Sequence, residues 1–209
     1  MINKFCEYLT NKIRMQNSEI DDDKAEIIKY GLQLIFGEIP KLFIMIAIAW
    51  GLGILELTIL CFILILPYRM YSGGFHLKTH LGCIIGTSLM YTGNAFISKQ
   101  IVIQNEYKII LSILLWIFSI CMIYKYAPAD TQDVPVIPKK ERRKRKNISY
   151  ILVTIMLISA CLVKDNIIGN ILLIGTLIQT ICITRIAYKL TNNRYGHEVY
   201  WENKNMIIN

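Results

Sequence analysis

"KKERRKRKNISYILVTIMLISACLVKDN", residues 139 to 166, joins a dense basic run directly to an apolar stretch and then to a short polar break. Short loops rich in lysine and arginine are retained on the cytoplasmic side of a membrane, so this junction reads as a cytoplasmic loop entering a span. Working outward from it, further apolar stretches stand at 31–50, 53–68, 81–98, 108–126 and 167–186, alongside 148–163 itself. About 17 to 25 residues cross roughly 30 Å of hydrocarbon as a helix, and the pattern predicts about six transmembrane helices. Composition agrees: hydrophobic residues make up 54% and charged residues 18% of the 209 positions, with a mean hydropathy of +0.43. The fold expected is all-α and polytopic, a single membrane domain over 1–209 in contact with the lipid bilayer.

The basic run also sets orientation. With "VPVIPKKERRKRKN", 134 to 147, inside, six spans place both termini and the segment from Arg69 to His80 inside as well. The outer loops then carry only Lys99, Lys108 and Lys164 near their edges. The net charge of +8 is explained as a topology signal beside anionic lipid, with substrate docking as an added role, and calls for no nucleic acid. Residues 127–147 form the basic cytoplasmic loop and 187–209 a cytoplasmic tail.

Ahead of the first span, Ile2, Phe5, Cys6, Leu9 and Ile13 fall on one helical face with Lys4, Lys12 and Arg14 nearby, so 1–24 reads as an amphipathic surface helix followed by a turn. Asp21 to Asp23 offer negative charge to the start of the next helix. The N-terminus lacks the features of a cleaved signal peptide, and the first span is expected to act as the anchor. Within it, Glu38 and Lys41 flank Pro40 and are expected to pair. No CxxC or other paired cysteine spacing occurs, and Cys6, Cys61, Cys121, Cys161 and Cys182 read as packing residues.

"SGGFHLKTHLGC", 72 to 83, differs: it gathers His76, His80 and Cys83 between two apolar runs. On one continuous helix these three stand at i, i+4 and i+7, a spacing three zinc ligands could use. Against a zinc peptidase, Leu77 stands where HExxH places its glutamate base. A cysteine nucleophile needs a base within about 3 Å, and on a helix His80 is the nearer partner of Cys83. Gly73 and Gly74 argue instead for a sharp non-helical turn. Thr79 can then cap the next helix and set Cys83 in its first turn, where the dipole favours negative charge. A loop folded across that helix start would bring His76 over the sulfur.

"YRMYSGGFHLKTHLGC" resembles the core motif of the AgrB family, the accessory gene regulator membrane endopeptidases of Gram-positive bacteria. The resemblance extends through "YGLQL" at 30–34 and "APADTQDVP" ahead of the basic run, and covers essentially the whole chain. It implies a catalytic pair of His76 and Cys83, with Arg69 and Gly74 as further motif residues beside Gly73. It also implies an AgrD-like propeptide as partner, no cofactor, and a homodimer. In the mechanism it implies, His76 takes the Cys83 proton and the thiolate attacks a propeptide carbonyl. The charged tail is released, and the acyl thioester left on Cys83 is displaced by a propeptide cysteine to close a thiolactone. Arg69 could meet an acidic group or developing oxyanion charge, or simply snorkel. Asp130 could orient His76 or form a turn. An intramembrane zinc peptidase built on His76, His80 and Cys83, and a small transporter, stand as the alternatives. The absence of an internal repeat counts against transport.

Overall fold

The computed structural model describes residues 2–17, 20–77, 79–132 and 134–208; within these, the side chains of Ile2, Asn3, Asp23, Tyr30, Gln33, Leu34, Glu38, His80, Ile207 and Ile208 are not among those described. The expected Glu38–Lys41 pairing therefore lies outside the described residues. Among the described residues every regular element is a helix.

α1 (Ile2–Gln16) and α2 (Asp22–Gly51) form the first pair. Asp21 caps α2 by accepting from the Lys24 N–H at 2.8 Å, and Asp22 pairs with Arg14 of α1 at 2.7 Å. Part of the apolar face of α1 is spent on α2: Cys6 is fully buried, and Phe5 meets Phe36 edge-on at 5.2 Å. Tyr8, Ile13 and Met15 of α1 are exposed. α2 runs for 30 residues with Pro40 inside it, so the helix leading into the membrane starts well before the apolar stretch does.

α3 (Leu55–Ser72) follows a short turn. α4 (His80–Ser88) starts at the Thr79 cap, whose hydroxyl accepts from the Gly82 N–H at 3.1 Å. A π-helical turn over Leu89–Gly93 carries it into α5 (Asn94–Gln100). α6 (Asn105–Tyr126) and α7 (Lys139–Leu162) pack against each other, and Asp165 caps α8 (Asn166–Cys182) through the Ile167 N–H at 2.7 Å. By length and composition α3, α6 and α7 are apolar enough to cross a membrane; α8 is apolar but spans 17 residues.

Two boundaries differ from expectation. The basic run is not a loop to its end: α7 begins at Lys139, because lysine and arginine are good helix formers and Glu141 pairs with Arg145 one turn on, at 2.9 Å. Likewise the segment after α8 is folded, with α9 (Arg185–Leu190) capped by Thr184 and followed by α10 (Gly196–Ile208).

α3 and α8 lie at the centre, in contact with each other and both with α7; α6 packs on α7 and α8. Their seam is apolar in bulk but carries hydrogen-bonded polar side chains, the usual glue where lipid supplies no hydrophobic drive between helices. Tyr68 Oη lies 3.0 Å from Thr180 Oγ1, which lies 2.9 Å from Ser119 Oγ. Asn94 donates to the Ile171 carbonyl at 3.1 Å.

Candidate active site

α3 ends in a turn that only glycine can make. Gly73 has φ 77° and Gly74 φ 141°. A Cβ on Gly73 would collide with the Ala129 carbonyl, and one on Gly74 with the Arg69 guanidinium. The turn is stitched to the 127–131 segment by Gly74 N–H donating to Ala129 O and Ala129 N–H donating to Ser72 O, both at 2.8 Å.

Arg69 folds inward over this turn instead of snorkelling. Its Nη2 donates to the Phe75 carbonyl at 2.6 Å and its Nη1 to Gln179 Oε1 at 3.4 Å. Gln179, fully buried on α8, donates in turn to Ser72 Oγ and to the Gly73 carbonyl, each at 2.8 Å. The chain from Ser72 to Phe75 is thus held on both sides by side chains more than a hundred residues apart in sequence. His76, the next residue, projects from the end of this clamp as an exposed, non-helical residue.

Cys83 sits where the Thr79 cap puts it. Its N–H donates to Thr79 O at 2.9 Å, so it closes the first turn of α4, and its thiol is half-buried. His76 and Cys83 line one cavity of about 900 Å³ together with Arg69, Gly73 and Gly74, and Phe62, Met90 and Tyr91 are among its apolar lining. All six site residues singled out in the sequence border this cavity. It is the loop conformation, not helical spacing, that sets His76 beside the start of α4.

Asp130 also borders the cavity, but its side chain is fully buried and turned to other partners. Oδ2 accepts from the Val136 and His197 N–H groups, each at 2.9 Å, and lies 3.3 Å from Arg142 Nη1; Oδ1 lies 2.7 Å from His197 Nδ1. Burial raises this carboxyl, but hydrogen bonds from His197 and Val136, with the charges of His197 and Arg142, outweigh it and hold Asp130 below the usual carboxylate range. Its carboxylate serves the tail and the basic helix, and gives no support to its orienting His76 directly.

The residues that sequence reasoning passed over are Gln179 and the tail. A glutamine inside an apolar run is costly in lipid and was itself a signal. The tail offered only its own histidine and tyrosines, whose partners no local pattern names. Among the described residues no three His, Cys, Asp or Glu side chains group as metal ligands. The proposed trio of His76, His80 and Cys83 includes the His80 side chain, which lies outside the described residues.

Similarity to known proteins runs nearly the length of the chain. The family model described as Accessory gene regulator B matches residues 3–183. A putative AgrB-like protein of Listeria innocua is 31% identical over 182 residues, covering 86% of this chain and 87% of that protein. One from Clostridium acetobutylicum is 26% identical over 204 residues, covering 97% and 93%. The accessory gene regulator protein B of Staphylococcus aureus strain MW2 is 26% identical over 187 residues, covering 90% and 94%. No solved structure matches. With its helical membrane fold and a family match from residue 3 to residue 183, the chain belongs to the accessory gene regulator B (AgrB) family.

Proposed function

We propose that this chain is a membrane cysteine endopeptidase that removes the charged C-terminal tail of an AgrD-like quorum-sensing propeptide and promotes thiolactone closure. The observation that carries this reading is the shared cavity of His76 and Cys83, with a glycine turn that frees His76 from the helix bearing the sulfur. His76 accepts the thiol proton, and the sulfur attacks the scissile carbonyl. Collapse of the tetrahedral intermediate expels the amine of the tail, which takes the proton from His76, and leaves an acyl thioester on Cys83. A cysteine thiol within the bound propeptide then exchanges with that thioester, closing the ring and restoring the Cys83 thiol. Exchange of one thioester for another is nearly thermoneutral, so positioning and exclusion of water decide between closure and hydrolysis. The apolar lining of the cavity supports the second requirement.

Arg69 in this reading holds the loop: its two hydrogen bonds go to Phe75 and Gln179. The basic start of α7 and both termini face the cytoplasm, where a newly made propeptide meets the cavity. The test is processing of a co-expressed propeptide. His76→Ala and Cys83→Ser should insert normally and abolish cleavage, since a general base alone is worth about 10² to 10⁴ in rate. His80→Ala should keep roughly a tenth or more of the activity, because a group that does not take the proton contributes less than the base. Equal loss in His80→Ala together with inhibition by chelators would replace this reading with the zinc peptidase. Wild-type cleavage by Cys83→Ser would end it outright.

A further inference from the structure

Beyond residue 183, where the family match ends, the chain reverses at Asn192, whose φ of 54° lies in the left-handed region. The reversal presents Asn193. Its N–H is tied to the Tyr188 carbonyl at 2.8 Å, and its side-chain amide donates to the carbonyl of His76 at 2.8 Å and to Thr191 O at 3.1 Å. The tail carrying it is anchored twice. Tyr188 Oη donates to the carbonyls of Ala129 and Asp130 at 2.9 and 3.1 Å, and Tyr195 stacks on the Tyr188 ring at 4.2 Å. The His197 contacts with the Asp130 carboxylate supply the second anchor.

The clamp through Arg69 and Gln179 holds the loop up to Phe75, one residue short of the base. Asn193 donates a hydrogen bond onto residue 76 itself. From this geometry we infer that Asn193 is a positioning residue: the C-terminal tail, pinned to the 127–131 segment, fixes the backbone of His76 and so aims its imidazole at the Cys83 sulfur. This rests on the cysteine-peptidase reading. It gives Asp130 an effect on His76 that is indirect, through the tail.

The experiment uses the full-length protein in membranes with the propeptide as substrate, and compares wild type with Asn193→Ala and the isosteric Asn193→Asp. Displacing a base by about an ångström costs up to roughly 10² in rate, so kcat should fall about 10- to 100-fold while KM for the propeptide stays within about twofold. Arg194→Ala, which breaks only the exposed pair with Glu202 in the same tail, should process at the wild-type rate.

The second readout is the rate at which iodoacetamide alkylates Cys83 at neutral pH, mapped by mass spectrometry. His76→Ala should slow it, Asn193→Ala should slow it less, and the double variant should match His76→Ala, because a residue acting through the base adds nothing once the base is gone. Equal slowing by Asn193→Ala in both backgrounds overturns the inference, as does a loss of activity expressed wholly in KM, or wild-type behaviour of both Asn193 variants. Should Asn193→Ala fail to insert, Asn193→Asp, which keeps the size and loses the donor, carries the same comparisons. Cleavage by Cys83→Ser, run in parallel, would instead overturn the peptidase reading itself.

Discussion

The two ends of the helix bundle satisfy their buried polar groups differently. At the cavity end, Arg69, Gln179 and Asn193 hydrogen-bond onto one loop, and Asp130 pins the tail that carries Asn193. At the opposite end, Lys108 is 1% exposed and its Nζ has no hydrogen-bond partner among the described residues, and the same holds for Asn166 Oδ1 and Asn170 Oδ1. A fully paired network permits one loop geometry, whereas unpaired groups specify little and cost stability. Substitutions that reach the cavity loop should therefore cost activity before stability, and those at the far end should change stability with little effect on activity.

The largest effect should come from the turn itself. Gly73→Ala forces a Cβ into the Ala129 carbonyl at a positive φ, and is expected to cut propeptide processing by roughly 10² with insertion intact, read by cleavage assay and membrane fractionation. Wild-type processing would show that the loop geometry does not matter. Next is Gln179→Leu, of similar size but without donor or acceptor. It loses hydrogen bonds worth about 1 kcal/mol each, and processing should fall roughly tenfold for a loop displaced by that loss.

Asp130→Asn should loosen the tail by about 1.5 to 3 kcal/mol, the worth of hydrogen bonds to a charged group, seen as faster proteolytic nicking after residue 183. The sign with pH follows from its depressed value in the folded protein. The Asp130 contribution is fully present above the unfolded carboxyl value of about 3.9 and is lost as pH falls through the lower folded value. The variant should lack this acid loosening, and an identical acid profile in both proteins would remove Asp130 as the anchor. The smallest effect belongs to the far end: Lys108→Met replaces a buried amine that has no hydrogen-bond partner among the described residues, and should raise thermal stability by about 1 kcal/mol. Its processing should stay within about twofold. A large loss of processing would erase the contrast between the ends.

Much of this was legible from local pattern. The apolar runs map onto α2, α3, the α4–α5 helix, α6, α7 and α8, the Thr79 cap stands where predicted, and the glycine pair makes the turn its φ freedom suggested. Helical spacing alone would have favoured His80 for Cys83; the chain from 73 to 77 is not helical, and His76 and Cys83 both line the cavity, while the His80 side chain lies outside the described residues. What local pattern could not reach were contacts set by tertiary return of the chain. Asp130 looked like a turn residue or a partner of His76, and its carboxylate meets His197, 67 residues on. The basic run looked like a loop because charge was read as topology, while the same lysines and arginines also favour helix.

The central claim is a thioester on Cys83. The most direct measurement is intact-protein and peptide mass spectrometry of the membrane-embedded enzyme, mixed with a propeptide whose ring-closing cysteine is replaced by alanine so that exchange cannot discharge the intermediate. The account predicts an adduct equal in mass to the propeptide without its C-terminal tail, mapped to Cys83, cleared by hydroxylamine and absent from His76→Ala. Stoichiometric release of the tail with Cys83 unmodified at every time point would contradict it.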